Sequence, residues 1–148
     1  GADRIADAVA AMKLYKAPII IVDFGTGTVF DAVTERAEYV GGAIAPGITI
    51  ASDALFHSAS QLRRVELIRP TSAIGKNTVH ALQSGLVLGY SDMVRGMVDR
   101  FNRELGGAST IIATGGLADL IAQEIDVFDS INHDLALIGL RIIHELNS

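Results

Sequence analysis

The sequence predicts an α/β domain over residues 1–148, built on a mixed five-stranded sheet with helices on its faces. Three consecutive strand patterns joined by tight turns predict an antiparallel meander. The helical and strand patterns that then alternate predict parallel strands joined by crossover helices. The chain has 148 residues, 49% of them hydrophobic, and 15 glycines. A single packed core with many tight turns is therefore expected.

The first elements are the clearest. Ala2–Tyr15 is predicted as a helix because its apolar residues recur on one face, and Ile19–Asp23 as a buried strand because four apolar residues precede the aspartate. Further strands are predicted at Thr28–Thr34, Tyr39–Ala45, Val65–Ile68 and Thr110–Thr114, with Val127–Asp129 as a candidate last edge strand. Further helices are predicted at Ile48–Ser60, Asn77–Leu105, Leu117–Gln123 and Leu135–Leu146.

The longest predicted helix contains three glycines. Asn77 is expected to cap its start, and Gly106-Gly107 to end it. Gly85, Gly89 and Gly96 lie inside it, and each should cost about 1 kcal/mol relative to alanine. Close packing against another element is the expected compensation.

The chain is organised around Ile19–Asp31, which reads IIIVDFGTGTVFD. A buried strand delivers Asp23 into a turn of glycines and threonines, and a second strand follows. Glycine N–H groups and threonine hydroxyls suit a phosphate, and a carboxylate suits a cation that neutralises phosphate charge. An ordinary hairpin with a Gly/Thr-rich turn explains this stretch equally well.

Four other stretches are candidates for chemistry, and each has a simpler interpretation. Gly1–Arg4 offers a base and an anion-binding group at a helix start, or only an ordinary first turn. Gly41–Gly47 allows a ligand or another chain segment to lie against the backbone, or is a bent strand end. Ile74–Thr78 suits an anion at a helix start, or is a plain cap. Thr114–Gly116 accommodates a flat nucleotide group, or is a tight turn.

Composition argues against several classes of function. The net charge is −5 and no Lys/Arg-rich run occurs, so nucleic acid is not an expected partner. No apolar run approaches about 20 residues, so no membrane association is expected. The absence of cysteine excludes disulfides and thiolate metal sites, and it fits a cytoplasmic location. The four histidines show no metal-ligand spacing.

Taken together, the five stretches resemble type III pantothenate kinase. The motifs GADR, VDFGTGTVFD, GGAIAPG, IGKNT and ATGGLA follow in that order over the whole chain. The resemblance implies a ribonuclease-H-like (actin-like ATPase) fold of the acetate kinase/Hsp70/actin superfamily. It further implies ATP-dependent phosphorylation of pantothenate to 4'-phosphopantothenate, the first step of coenzyme A biosynthesis, in a cytoplasmic homodimer.

The resemblance also implies roles for individual residues. Asp3 would take the proton of the pantothenate hydroxyl, and Asp23 would bind a monovalent cation, potassium or ammonium. ATP and magnesium are the other expected cofactors. The expected pantothenate-binding residues are Gly1, Ala2, Asp3, Arg4 and Thr78, and the expected ATP-binding residues are Thr26, Gly115 and Gly116.

Two departures from the family pattern matter. The chain has Val29 where the family usually has a second threonine, so one possible hydroxyl contact is missing. The family's N-terminal phosphate-loop domain is also missing, so we interpret the chain, which begins at Gly1, as the C-terminal half of a two-domain kinase. Alone it should be nearly inactive. A non-catalytic Baf-like regulator and a structural dimerisation module built on the long helix are the alternatives.

Overall fold

The computed structural model describes residues 1–58, 62 and 64–148. A mixed five-stranded sheet lies at the centre, in the order β3-β2-β1-β4-β5. The first three strands form the predicted antiparallel meander, and β1 pairs with β4, and β4 with β5, in parallel. The strands are β1 Ile19–Phe24, β2 Gly27–Val33, β3 Tyr39–Pro46, β4 Thr110–Thr114 and β5 Ser130–Ile131.

The helices lie close to their predicted positions. The three longest predicted helices begin within one residue of their predicted starts. The end predicted for the second helix, Ser60, lies outside the described residues. The helices are α1 Ala2–Leu14, α2 Ile48–Ser58, α3 Thr78–Gln83, α4 Gly89–Glu104, α5 Ala118–Ala122 and α6 Leu135–Leu146. Within the described residues, no helix combines the length and apolar composition needed to cross a bilayer.

Strand β1 supplies both halves of the core. Successive side chains of a strand point to opposite faces, so Ile19 and Ile21 pack beneath α1 and α6, whereas Ile20 and Val22 pack toward α4 and α5. All four are fully buried, and each contributes about 1.5–3 kcal/mol. The same alternation directs Asp23 to the face covered by α1.

Helices α1 and α6 touch along their lengths. A Cβ atom placed on Gly139 of α6 would lie 1.8 Å from the carbonyl oxygen of Ala6 in α1. Only glycine permits this backbone approach. Helix α6 therefore holds α1, and with it the Gly1–Arg4 turn, against the sheet.

The strand predicted at Val65–Ile68 is wrong. Val65 and Leu67 pack against the core as their alternation indicates, but the segment is irregular and pairs with no described strand. Instead, the carbonyl of Glu66 accepts a hydrogen bond of 3.0 Å from the side chain of Gln83. The last strand was also misplaced: it is Ser130–Ile131, not Val127–Asp129.

The long helical segment begins as predicted but is not uniform. The side chain of Asn77 accepts a hydrogen bond from the backbone N–H of His80, 3.0 Å away, which confirms the cap. A π-helical turn, Ser84–Leu88, separates α3 from α4. The expectation of close packing at the three glycines is wrong, because a Cβ atom at each would meet no described atom within 4 Å. These are Gly85, Gly89 and Gly96.

We predict that Gly139→Ala lowers the free energy of unfolding by about 2–4 kcal/mol, because the added methyl group must push α6 away from α1. Gly96→Ala on α4 is the matched control. Its methyl group enters open space in a helix, so its stability should stay equal or rise by up to about 1 kcal/mol. Urea unfolding of both variants measures the difference. Equal effects would contradict the close α1–α6 contact.

Candidate functional site

A cavity of about 330 Å³ lies where the first turn of α1 meets the turn between β1 and β2. The sequence separates these two motifs by some twenty residues, and the fold joins them. The cavity is lined by Gly1, Ala2, Asp3, Arg4, Asp23, Gly25, Thr26, Gly27 and Val29. Six of the predicted site residues therefore line one cavity: the four of the GADR turn, and Asp23 and Thr26 of the turn between β1 and β2.

Arg4, the cationic side chain that lines the cavity, is held by a buried carboxylate. Its Nε and Nη2 atoms donate to the same oxygen, Oδ1 of Asp31, over 3.0 and 2.7 Å. Asp31 is 1% exposed, and it also accepts a 2.8 Å hydrogen bond from the hydroxyl of Tyr39. The hydrogen bonds to Asp31 raise the pKa of Arg4 above its ordinary value. Burial, followed by the bond to Asp31, raises the pKa of Tyr39.

A second buried carboxyl group, Asp7, lies one helical turn beyond Asp3 on α1. It is 1% exposed, and its Oδ1 has no hydrogen-bond partner. Burial raises the pKa of Asp7 to about 8, and a hydrogen bond to Asp23 and the negative charges of Asp23, Asp31 and Asp3 act in the same direction. Near neutral pH, Asp7 is therefore a protonated acid that can donate to the carboxylate of Asp23.

Oxygen atoms that could contribute to holding a cation lie around Asp23. Asp23 lines the cavity, and Asp7 beside it has a buried oxygen without a partner. Among the described residues, no group of three or more His, Asp or Glu side chains is arranged to hold a metal ion. A magnesium ion here would depend on phosphate oxygens and water, as this ion commonly does.

The turn that carries Thr26 is fixed by β3. A Cβ atom on Gly47, just after β3, would lie 2.0 Å from the carbonyl oxygen of Thr26. The hydroxyl of Thr28 also donates to the carbonyl of Pro46 over 3.2 Å. Gly42 and Gly47 therefore serve close packing of another chain segment, one of the interpretations that the sequence allowed, whereas a Cβ atom on Gly41 would meet nothing within 4 Å. Thr26 itself is exposed and faces solvent at the cavity.

The Gly115-Gly116 turn lies next to the same strand end. Thr114 is the register partner of Asp23 in the parallel pair. Gly115 has φ +96°, and a Cβ atom on it would lie 2.6 Å from the backbone of Phe24, so its glycine is required by the protein itself. Gly116 is exposed, with open space beside it. The carboxyl ends of β1 and β4 thus form one edge, where α/β sheets commonly bind ligands.

Thr78 is a predicted site residue that lies away from both strand ends and outside the lining of this cavity. It is the exposed first residue of α3, and it is absent from the cavity lining within the described chain. It lies instead next to a second concavity of about 440 Å³, whose lining includes Gly75, Lys76 and Asn77. Val29, the departure from the family pattern, lies on the wall of the first cavity and presents an apolar surface there.

Sequence reasoning missed Asp7 and Asp31 as site residues. Both carried a signal. Asp7 is four residues after Asp3, on the same helical face as the buried alanines of α1. Asp31 is two residues after Val29 in an alternating strand, which places it on the face that α1 covers.

The sequence matches known proteins over its whole length. The model of the family described as Type III pantothenate kinase matches residues 1–100. Proteins named Type III pantothenate kinase from Roseiflexus sp. (strain RS-1) and Moorella thermoacetica are each 53% identical, over 99% and 100% of this chain. One from Streptomyces griseus is 54% identical over 99%. The chain spans 57–58% of the length of these relatives.

Two solved structures share the fold. A protein described as a Baf family transcriptional activator from Campylobacter jejuni superposes with a TM-score of 0.70 at 24% identity, over 99% of this chain and 64% of that one. The activator of the 2-hydroxyisocaproyl-CoA dehydratase from Clostridium difficile, with bound ADPNP, gives 0.52 at 14% identity, over 93% and 62%. At these identities the likeness concerns the fold alone. It agrees with the predicted α/β fold, a mixed five-stranded sheet with helices on its faces.

We predict that Asp7→Asn makes the free energy of unfolding less sensitive to rising pH. A carboxyl group whose pKa is raised from 3.8 to about 8 by folding stabilises the native state fully below pH 3.8, and this contribution is lost as the pH rises toward 8. Between pH 5 and pH 7.5, the free energy of unfolding of the wild type should fall by about 1–3 kcal/mol relative to that of the variant. Urea unfolding at both pH values measures this. Parallel pH profiles would contradict a protonated Asp7.

Proposed function

Because the chain belongs to the type III pantothenate kinase family, we propose that it is the C-terminal half of a two-domain kinase that phosphorylates pantothenate with ATP. One observation carries this proposal: a single cavity joins the GADR turn to the Asp23–Thr26 turn. The first turn offers a carboxylate and a guanidinium to an acceptor, and the second offers a hydroxyl and backbone N–H groups to a phosphate. The lengths of the relatives support a further domain.

In this proposal, residues at the start of α1 bind the acceptor and remove its proton. Asp3 is exposed at the cavity, and we assign it as the base. It takes the proton of the pantothenate hydroxyl as that oxygen bonds to the γ-phosphorus of ATP, and the bond to the β-phosphate oxygen breaks to leave ADP. Arg4 pairs with the pantothenate carboxylate. Gly1 and Ala2 lie beside it without bulk.

The phosphate half belongs to the strand ends. Thr26 contacts the phosphates, and Gly115 and Gly116 lie against the adenosine. Asp23 would hold a monovalent cation, potassium or ammonium, which would supply positive charge beside the phosphates, and magnesium would be bound with ATP. The protein's own contribution is to hold the two substrates in line in one charged cavity, which is most of what phosphoryl transfer requires. A cytoplasmic homodimer completes the proposal.

The role of Asp3 is tested in the full-length protein. Asp3→Asn should lower kcat for pantothenate about 10²–10⁴-fold, because the variant cannot accept the proton. Asp99→Asn, an exposed position on α4, is the matched control and should keep full activity. A coupled assay of ADP release measures both. Undiminished turnover by the Asp3 variant would remove Asp3 from the role of base. Pantothenate binding without turnover by the wild type would favour a regulator.

The role of Asp23 is tested without catalysis. Potassium chloride should raise the thermal unfolding midpoint above its value in tetramethylammonium chloride of equal ionic strength, by about 2–4 °C at concentrations well above the dissociation constant. Asp23→Asn should abolish this difference. A potassium effect of the same size in the variant would place the cation elsewhere.

A further inference from the structure

Arg4 presents only one edge of its guanidinium group to the protein. The Nε and Nη2 atoms both donate to Oδ1 of Asp31. Among the described residues, Nη1 makes no hydrogen bond to the protein. A guanidinium group has a second edge, formed by Nη1 and Nη2, that matches the two oxygens of a carboxylate. This second edge is the part of Arg4 that remains available at the cavity.

The carboxylate of Asp31 is itself fixed from several sides. It is 1% exposed, and its strand position pairs with Ile21 on one side and Gly42 on the other. A Cβ atom on Gly42 would lie 2.8 Å from Oδ1 of Asp31, so glycine leaves the room that this carboxylate occupies. The hydroxyl of Tyr39 donates to the same oxygen over 2.8 Å. Three N–H or O–H donors therefore converge on one buried oxygen.

The charges around the cavity make the orientation of the Arg4 guanidinium group important for binding an anionic substrate. Asp3 and Asp23 line the cavity and repel an anionic substrate, and Arg4 is the one cationic side chain in the described lining. Arg4 is only partly exposed, with 27% of its side-chain surface accessible. If its guanidinium turned away, the described lining would offer a carboxylate no cationic side chain.

We propose that Asp31 is a positioning residue that fixes the Nε edge of Arg4, so that the Nη1/Nη2 edge faces the cavity and selects an acceptor bearing a carboxylate. The inference rests on the proposed function, since it assigns the acceptor's carboxylate to Arg4. Asp31 touches no substrate and acts only through Arg4. Tyr39 supports it by holding the oxygen that Arg4 uses.

A double-mutant cycle in the full-length protein tests the coupling. Asp31→Asn keeps the shape of the side chain and removes its charge. It should raise KM for pantothenate about tenfold and leave KM for ATP unchanged. In an Arg4→Ala background, the same substitution should have no further effect on KM for pantothenate. An equal change in both backgrounds would show that Asp31 acts through general structure and would overturn the inference.

A signal from Arg4 itself tests the orientation without substrate. In ¹⁵N-labelled protein, the Nε–H of Arg4 should exchange slowly with solvent, and Asp31→Asn should make its exchange at least about tenfold faster. The resonance is assigned as the one absent from Arg4→Ala. Unchanged exchange would overturn the inference alone. A wild type that shows this protection but never turns over pantothenate would overturn the proposed function and the selection of a carboxylate with it.

If Asp31→Asn fails to fold, Tyr39→Phe tests the same coupling to Arg4. It leaves the ion pair intact and removes one donor from the shared oxygen. It should raise KM for pantothenate about two- to threefold in the wild-type background, and not in the Arg4→Ala background. Asp99→Asn is the remote control and should change neither constant. A Tyr39 effect that persists without Arg4 would contradict the proposal.

Discussion

Four carboxyl groups lie near enough to repel one another where α1 packs against the end of β1, and the site depends on how this repulsion is relieved. The negative charges of Asp3, Asp23 and Asp31 all act on Asp7. The negative charge of Asp31 is offset by hydrogen bonds from Arg4 and Tyr39, and Asp7 adds no charge because it keeps its proton. The repulsion thus leaves two carboxylates at the cavity for chemistry. In our proposal, one takes a proton and the other holds a cation.

Most of the fold followed from local patterns. The buried run before Asp23, the tight turns of the meander and the alternating crossovers predicted the sheet because each depends on neighbouring residues. Val65–Ile68 failed because a strand requires an edge to pair with, and its alternation reports only burial. The π-helical turn Ser84–Leu88 had no signal of its own. The glycines around it fit an exposed helix face, not the tight contact that was predicted.

The candidate site was predictable only in part. Its motifs pointed to Asp3 and Asp23, and the parallel pairing of β1 with β4 brought Thr114 opposite Asp23. Asp7 and Asp31 were missed because their importance lies in burial and in contacts across 16 or more residues of the chain. Their positions on a helix face and a strand face were visible, but a pattern of faces does not show which carboxylate finds a partner.

In our proposal, the cavity between the GADR turn and the Asp23–Thr26 turn holds the acceptor during phosphoryl transfer. A crystal structure of the full-length protein with pantothenate and a non-hydrolysable ATP analogue would test this placement. We expect the pantothenate hydroxyl about 3 Å from the carboxylate of Asp3, with the carboxylate of pantothenate on the Nη edge of Arg4. Pantothenate bound outside this cavity, or with its hydroxyl turned away from Asp3, would overturn the proposal.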